Sequence, residues 1–414
     1  MNRKHLNFTL AVCLAGMLFA CRPMQDLADG RWSGFFTVET DSIPFQFDVS
    51  HINGRVAVQL VNGEEHAPLD SAYWQNDSLR INIDLYDSYL IGKASDGQFI
   101  GQLRRNYEGS KPLSFQAAHQ PDRFTVRDTT ELTHAAGTWS VLLTSARDSS
   151  KRYTVGVFHQ KGHLVTGTLL TTTGDYRYLD GVVDGNELKL SVFGGSSPML
   201  LKGTLKGESL EGQFISPFGK TWLSAVRSDT AHLPDPYSLT YLKKGTEQLD
   251  FTFPDLQGNP VSLKDPKYQG KVVIVTIMGN WCPNCIDEAG LLAPWYTRNK
   301  DRGVEIIGLT FERKDDLAYA RARVAPLIRR FGITYDILIA GIANKTSASE
   351  KLPAVNAVLA FPTTFFIDRS GKVRKIHTGY TGPASGELYD EFVREFNDLT
   401  DQLLAESPGG TAAQ

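Results

Sequence analysis

The sequence predicts a multi-domain chain: an N-terminal all-β region of two barrel- or sandwich-like repeats, followed by an α/β domain. Three observations carry this. The 414 residues exceed the ~100–200 that one core usually holds. Residues 30–228 read as short strands of alternating character, broken by Gly, Asn-Gly and Asp-Gly turns, with no helical period. Beyond Pro234 and Pro236, buried-strand runs alternate with helical ones.

At 41% hydrophobic and 21% charged residues, the composition is that of a globular protein. The formal charge of -3 comes with no Lys/Arg run that could track a phosphate backbone, so no nucleic acid partner is expected. Met1 to His5 is a basic start and Leu6 to Ala20 an apolar run, too short for the ~20 residues of a membrane-spanning helix. Leu18-Phe19-Ala20-Cys21 resembles the bacterial lipoprotein lipobox. That resemblance implies a signal peptide over 1–20, lipid on Cys21, and a tether over 21–29. The protein would be held on a membrane in the cell envelope, periplasm-facing or as an outer-membrane lipoprotein. Removing the signal deletes Cys13, and lipid would occupy Cys21, so Cys282 and Cys285 are left as one thiol pair and no structural disulfide framework is possible.

In the β region, Phe45 to Val49 and Leu188 to Val192 show the two-residue period of half-buried strands. Gly30-Arg31-Trp32-Ser33 recurs as Gly137-Thr138-Trp139-Ser140, and Gly101-Gln102 as Gly212-Gln213. Two copies are expected, over 30–136 and 137–228. Their Gly-x-Trp openings loosely resemble lipocalin- or avidin-like barrels, and Trp32 and Trp139 read as core plugs rather than ligand-stacking groups. Two small barrels or sandwiches, or one fused barrel, fit equally well. A linker over 229–248 carries two prolines and polar residues suited to a spacer.

From 249 to 406 the elements are the strand Val272 to Met278, a helix from Pro283 to Lys300, the strand Val304 to Leu309 and a helix from Asp315 to Arg330. The strand Tyr335 to Ala340 follows. After the added loop Gly341 to Leu352 come the hairpin strands Thr363 to Asp368 and Lys372 to Ile376. A last helix carries an apolar stripe of Leu388, Phe392, Phe396, Leu399 and Leu403, and 407–414 is a flexible tail.

The chemistry concentrates at Trp281-Cys282-Pro283-Asn284-Cys285, which follows a buried strand and opens a helix. There the free N–H groups and the helix dipole favour negative charge on the first sulfur. Cys282 is the expected exposed nucleophile, and Cys285, one turn in and facing inward, the resolving thiol. A zinc site wants four ligands, and no second cysteine pair exists. Haem attachment would need His where Ile286 stands. A staple over so tight a loop constrains the unfolded chain little.

Lys271 to Val275 before the dithiol, and Phe361-Pro362-Thr363-Thr364-Phe365-Phe366-Ile367-Asp368 before Gly371-Lys372, resemble the thioredoxin fold and within it the TlpA/ResA-type group of membrane-tethered thiol-disulfide oxidoreductases. The likeness spans roughly 249–405. It implies that Pro362 is a cis-proline facing the dithiol, that Phe361 presents its backbone to a substrate, and that Trp281, Pro283 and Asn284 line the contact. It also implies that Glu288 moves the proton of Cys285, a role suited to a carboxyl one turn along the same helix face. Protein thiols and disulfides would be the partners, a membrane or soluble thiol the electron donor, and no cofactor would be needed. Thioredoxin itself carries a buried aspartate where this strand has Thr276, so more would fall on Glu288. A second reading makes the β repeats an envelope ligand- or protein-binding module with the redox domain accessory. A peroxiredoxin reading lacks its Pro-x-x-x-Thr-x-x-Cys motif at Met278 to Cys282.

Overall fold

A computed structural model of the chain describes residues 26–39, 41–128 and 132–407. The expected signal segment, Cys21 with the start of its tether, and nearly all of the tail lie outside the described residues.

The second β unit is a closed antiparallel barrel. Eight strands (Gly137–Ser145, Lys151–Lys161, Leu164–Thr171, Leu179–Asp184, Glu187–Val192, Met199–Lys206, Ser209–Ser216 and Gly219–Arg227) pair in turn, and the last returns to the first. The first unit repeats the order from Gly30–Val38 to Leu113–His119 but stays open. Its third strand, Arg55–Asn62, is paired along Gln59–Asn62 by the hairpin strand Glu65–Pro68, and Ser71–Gln75 does not pair with it. In the closed unit the corresponding hairpin is a two-residue stub, Gly174–Asp175, on Leu170 and Thr171, and Leu164–Gly167 pairs with Leu179–Val182.

The recurrent motifs have structural causes. Trp32 and Trp139 are buried, and each donates its indole N–H at 2.9 Å to the carbonyl four residues upstream, Ala28 and Ala135. Gly101 and Gly212 face Gly92 and Gly203 across neighbouring strands, where a Cβ would lie 2.6 Å from the partner Cα in either case, too close for any side chain. Side chains fill both interiors: Phe36, Phe45, Phe47, Phe99 and Phe115 in the first, and Trp139, Leu143, Phe158, Leu190 and Phe214 in the second. The tryptophans are thus core plugs. Phe193 of the second unit inserts beside Phe36, with ring centroids 4.7 Å apart, and Asn62 holds its backbone on both sides.

The segment expected as a spacer forms a short helix, α1 (Pro236–Leu239), capped by Asp235, and Tyr237 packs on His377. The α/β domain has a five-stranded sheet ordered Asp336–Ile342, Val304–Glu312, Val272–Met278, Thr363–Ile367, Val373–Thr378. Its central strand is buried at every residue, as a strand covered on both faces requires. Around it lie α2 (Pro283–Asn299), α3 (Leu317–Phe331), α4 (Lys345–Lys351) and α5 (Glu387–Ala405).

Two expectations need correcting. The added loop Gly341 to Leu352 contains α4, started by the Asn344 side chain, which accepts from the Thr346 and Ser347 amides. On α5 the buried stripe is Phe392, Phe396, Thr400 and Leu403. Leu388 is 39% exposed, and Thr400 fits the core because its hydroxyl donates to the Phe396 carbonyl at 2.8 Å.

Candidate active site

The central strand ends at Met278, and the chain turns through Gly279, where a Cβ would meet the Trp281 Nε1 at 2.3 Å and the Phe311 carbonyl at 2.7 Å. Glycine therefore lets the turn fold tightly enough to start α2 at once. Cys282 is the N-cap and Pro283 the first helical residue, where the missing N–H has no cost. The Cys285 amide donates to the Cys282 Sγ at 3.4 Å, and that thiol donates to the Phe361 carbonyl at 3.1 Å. Both cysteines are free thiols. The Phe361–Pro362 bond is cis, and Trp281 packs edge-on to Phe361 at 5.1 Å while donating its indole N–H to the Phe311 carbonyl.

Cys285 is buried, as expected. Burial first, then Cys282 and Glu288, push its thiol well above the ordinary range. Glu288 lies buried at the same helix face. The Thr276 hydroxyl donates to its Oε2 at 2.6 Å, and the Thr364 hydroxyl to its Oε1 at 2.7 Å. Burial raises the carboxyl to about 7 against the lowering by the two threonines. Thr276, at the position where thioredoxin carries aspartate, thus positions the glutamate.

The expectation of an exposed Cys282 is corrected: the residue is only 6% exposed. The β units reach over the dithiol. The Asn284 amide, oriented to satisfy both groups, donates to Asp175 Oδ1 at 3.1 Å and accepts from the Asp175 amide at 3.2 Å. Asp175 Oδ2 also accepts the Gly382 amide at 2.7 Å. Arg177 reaches Asp287 on α2 at 3.2 Å, the Tyr86 hydroxyl at 2.9 Å, and Glu65. Although Asp287 faces this guanidinium, burial outweighs the attraction and raises its carboxyl to about 7, with Asp175 and Glu65 adding to the rise.

Sequence reasoning brought together Trp281, Cys282, Pro283, Asn284, Cys285, Glu288, Phe361 and Pro362, and these do lie together. It passed over Asp287, although a second acid next to Glu288 was a visible signal, and over Glu65, Tyr86, Asp175 and Arg177, which no local pattern ties to the dithiol.

A Cys-x-x-Cys at the head of a helix, facing a cis-proline loop at the same end of a central sheet, defines a thioredoxin-like thiol-disulfide oxidoreductase. Residues 245–376 match the AhpC/TSA family. Over 140 residues, 34% of this chain and 72% of the relative, it is 31% identical to thiol-disulfide oxidoreductase ResA of Geobacillus thermodenitrificans. Over the same shares it is 33% identical to that of Geobacillus kaustophilus. Among solved structures, the thioredoxin domain of a thiol-disulfide oxidoreductase from Bacteroides vulgatus is 24% identical, covering 37% of this chain and 99% of that one, with a TM-score of 0.28. The chain belongs to the ResA-type thiol-disulfide oxidoreductases.

Proposed function

We propose that this protein is a membrane-anchored reductase of protein disulfides in the cell envelope. The observation that carries the reading is the buried Glu288, on the helix face of Cys285 and held by Thr276 and Thr364, with its carboxyl at about 7. Such a group accepts a proton near neutral pH. The sulfur of Cys282 attacks one sulfur of the partner's disulfide, and the other leaves as a thiol. Cys285 then gives its proton to Glu288 and attacks Cys282, and the partner departs with two electrons as a dithiol. The Cys282–Cys285 disulfide is the oxidised product, no bound cofactor is needed, and a membrane or soluble thiol donor restores the dithiol.

The anchor is the lipid on Cys21. Among the described residues no helix is long and apolar enough to cross a membrane. Cys21→Ser should move the protein out of the membrane fraction, and unchanged fractionation would remove the anchor. Cys285→Ala should accumulate mixed disulfides with partner proteins on non-reducing gels, lost when Cys282 is also replaced. Capture no greater than in the double variant would refute attack by Cys282. Faster reduction of protein disulfides by the dithiol form than oxidation of dithiols by the disulfide form would support the direction, and the reverse ordering would overturn it.

A further inference from the structure

The β units pack on the Cys-x-x-Cys turn at Asn284. A Cβ on Gly174 would lie 1.9 Å from the Asn284 side chain, and a Cβ on Gly379 would lie 2.9 Å from the Thr173 backbone. The strand stub at Gly174–Asp175 is therefore pressed between the Cys-x-x-Cys turn and the loop that follows the cis-proline strand pair. Gly379 itself donates to the Pro362 carbonyl at 3.0 Å, so the covered surface is continuous with the loop facing Cys282.

Arg177 fastens this contact while sitting in a costly state. Its backbone lies at φ 59°, in the left-handed region that side chains disfavour. Its Nε is buried with no hydrogen-bond partner. Its guanidinium spans three parts of the chain: Glu65 and Tyr86 of the open β unit and Asp287 of α2. A second fastening joins the open β unit to the α/β domain, where Arg323 of α3 pairs with Asp87 and Arg313 stacks on Tyr107 at 4.2 Å.

We propose that the two β units are a built-in cap on the dithiol, latched by Arg177, and that a protein disulfide reaches Cys282 only when residues 172–177 lift off the Asn284 turn. This rests on the reading that Cys282 attacks. Two features make the contact releasable. It consists of polar and backbone contacts at the stub rather than inserted apolar side chains, and lifting it opens the unpartnered Nε of Arg177 to water. The cap would give the enzyme a preference among disulfides, excluding bulky ones until a partner displaces the stub.

The test uses the full reduced protein and two maleimides of the same reactivity, N-ethylmaleimide and a polyethylene glycol maleimide, with modification read at Cys282 by peptide mass spectrometry. The ratio of the two rates cancels the thiolate fraction and reads access alone. In Arg177→Gln that preference for the small reagent should fall by roughly tenfold relative to wild type, because the open fraction sets bulky access. Arg177→Lys should restore part of it. Arg323→Gln, which breaks the pairing with Asp87 instead, should shift it in the same direction and carries the test if Arg177→Gln fails to fold. The wild-type ratio measured against the same chain in denaturant needs no variant. A native ratio equal to the unfolded one, or unchanged ratios in the folded variants, would overturn the cap. Since this reads access and not exchange, a failed cap leaves mixed-disulfide capture by Cys285→Ala intact, and failed capture leaves the access ratio readable.

Discussion

Asp287 and Glu288 are chain neighbours on one helix, the first half-buried and the second buried and both raised to about 7, yet they serve different sides of it. Glu288 faces inward, where two threonine hydroxyls from the sheet hold it at the buried thiol. Asp287 faces the β units, where a guanidinium from another part of the chain meets it. The difference teaches that the same titration can belong to chemistry on one side and to docking on the other. Position decides the role.

The largest separation should come from paired amides. Glu288→Gln removes the acceptor for the Cys285 proton and should slow resolution of the mixed disulfide by about 100-fold or more at neutral pH, since general-base help is typically worth ~100–10,000-fold. Asp287→Asn should leave that step within a few-fold. Single-turnover kinetics on preformed mixed disulfides check this, and equal slowing by both variants would break the comparison.

Stability against pH comes next. Glu288 rises from an ordinary 4.5 and Asp287 from 3.8, so the folded chain keeps protons that the unfolded chain has released. A raised carboxyl contributes stability in full below its unfolded value and loses it as pH climbs through about 7, on the order of 3 kcal/mol for Glu288 and on the order of 4 kcal/mol for Asp287. Thermal unfolding of the reduced protein from pH 5 to 9 should therefore show a falling Tm, and either amide variant should flatten the fall. A flat wild-type curve would place both carboxyls in water-like surroundings.

The smallest effect belongs to the threonines. Thr276→Val or Thr364→Val removes one hydrogen bond that favours the Glu288 anion, worth ~1.5–3 kcal/mol for a charged acceptor. The midpoint of the resolving step should move upward by about one pH unit while the fold is kept. An unmoved midpoint would make the two threonines packing residues only.

The inner side of the helix was legible in the sequence because its logic is local. The dithiol, the helix start at Pro283 and the one-turn spacing to Glu288 are written within a few residues, and Pro362 sits in a recognisable strand opening. The repeat was legible from Trp32 and Trp139 because each plugs its unit with the same indole-to-carbonyl bond. Whether either unit closes was not, since closure is a pairing of one strand edge, made by Leu164–Gly167 with Leu179–Val182 in the second unit and absent from the first, that no repeated motif marks. The buried state of Cys282 was hidden for a related reason. Asp175 and Arg177 lie more than a hundred residues before the dithiol, and a polar turn in an all-β region reads as solvent-facing until something is found packed on it.

The central claim is that a buried carboxyl at Cys285 is poised near neutrality to take its proton. Stopped-flow measurement of the resolving step from pH 5 to 10, in wild type and Glu288→Gln, tests it most directly. The wild-type rate should climb through an inflection near the Glu288 value of about 7, coupled to the thiol above it, and the glutamine variant should lose that inflection and rise only at the higher pH where the thiol itself ionises. Superimposable profiles would contradict the account and leave Glu288 a buried residue with no part in the exchange.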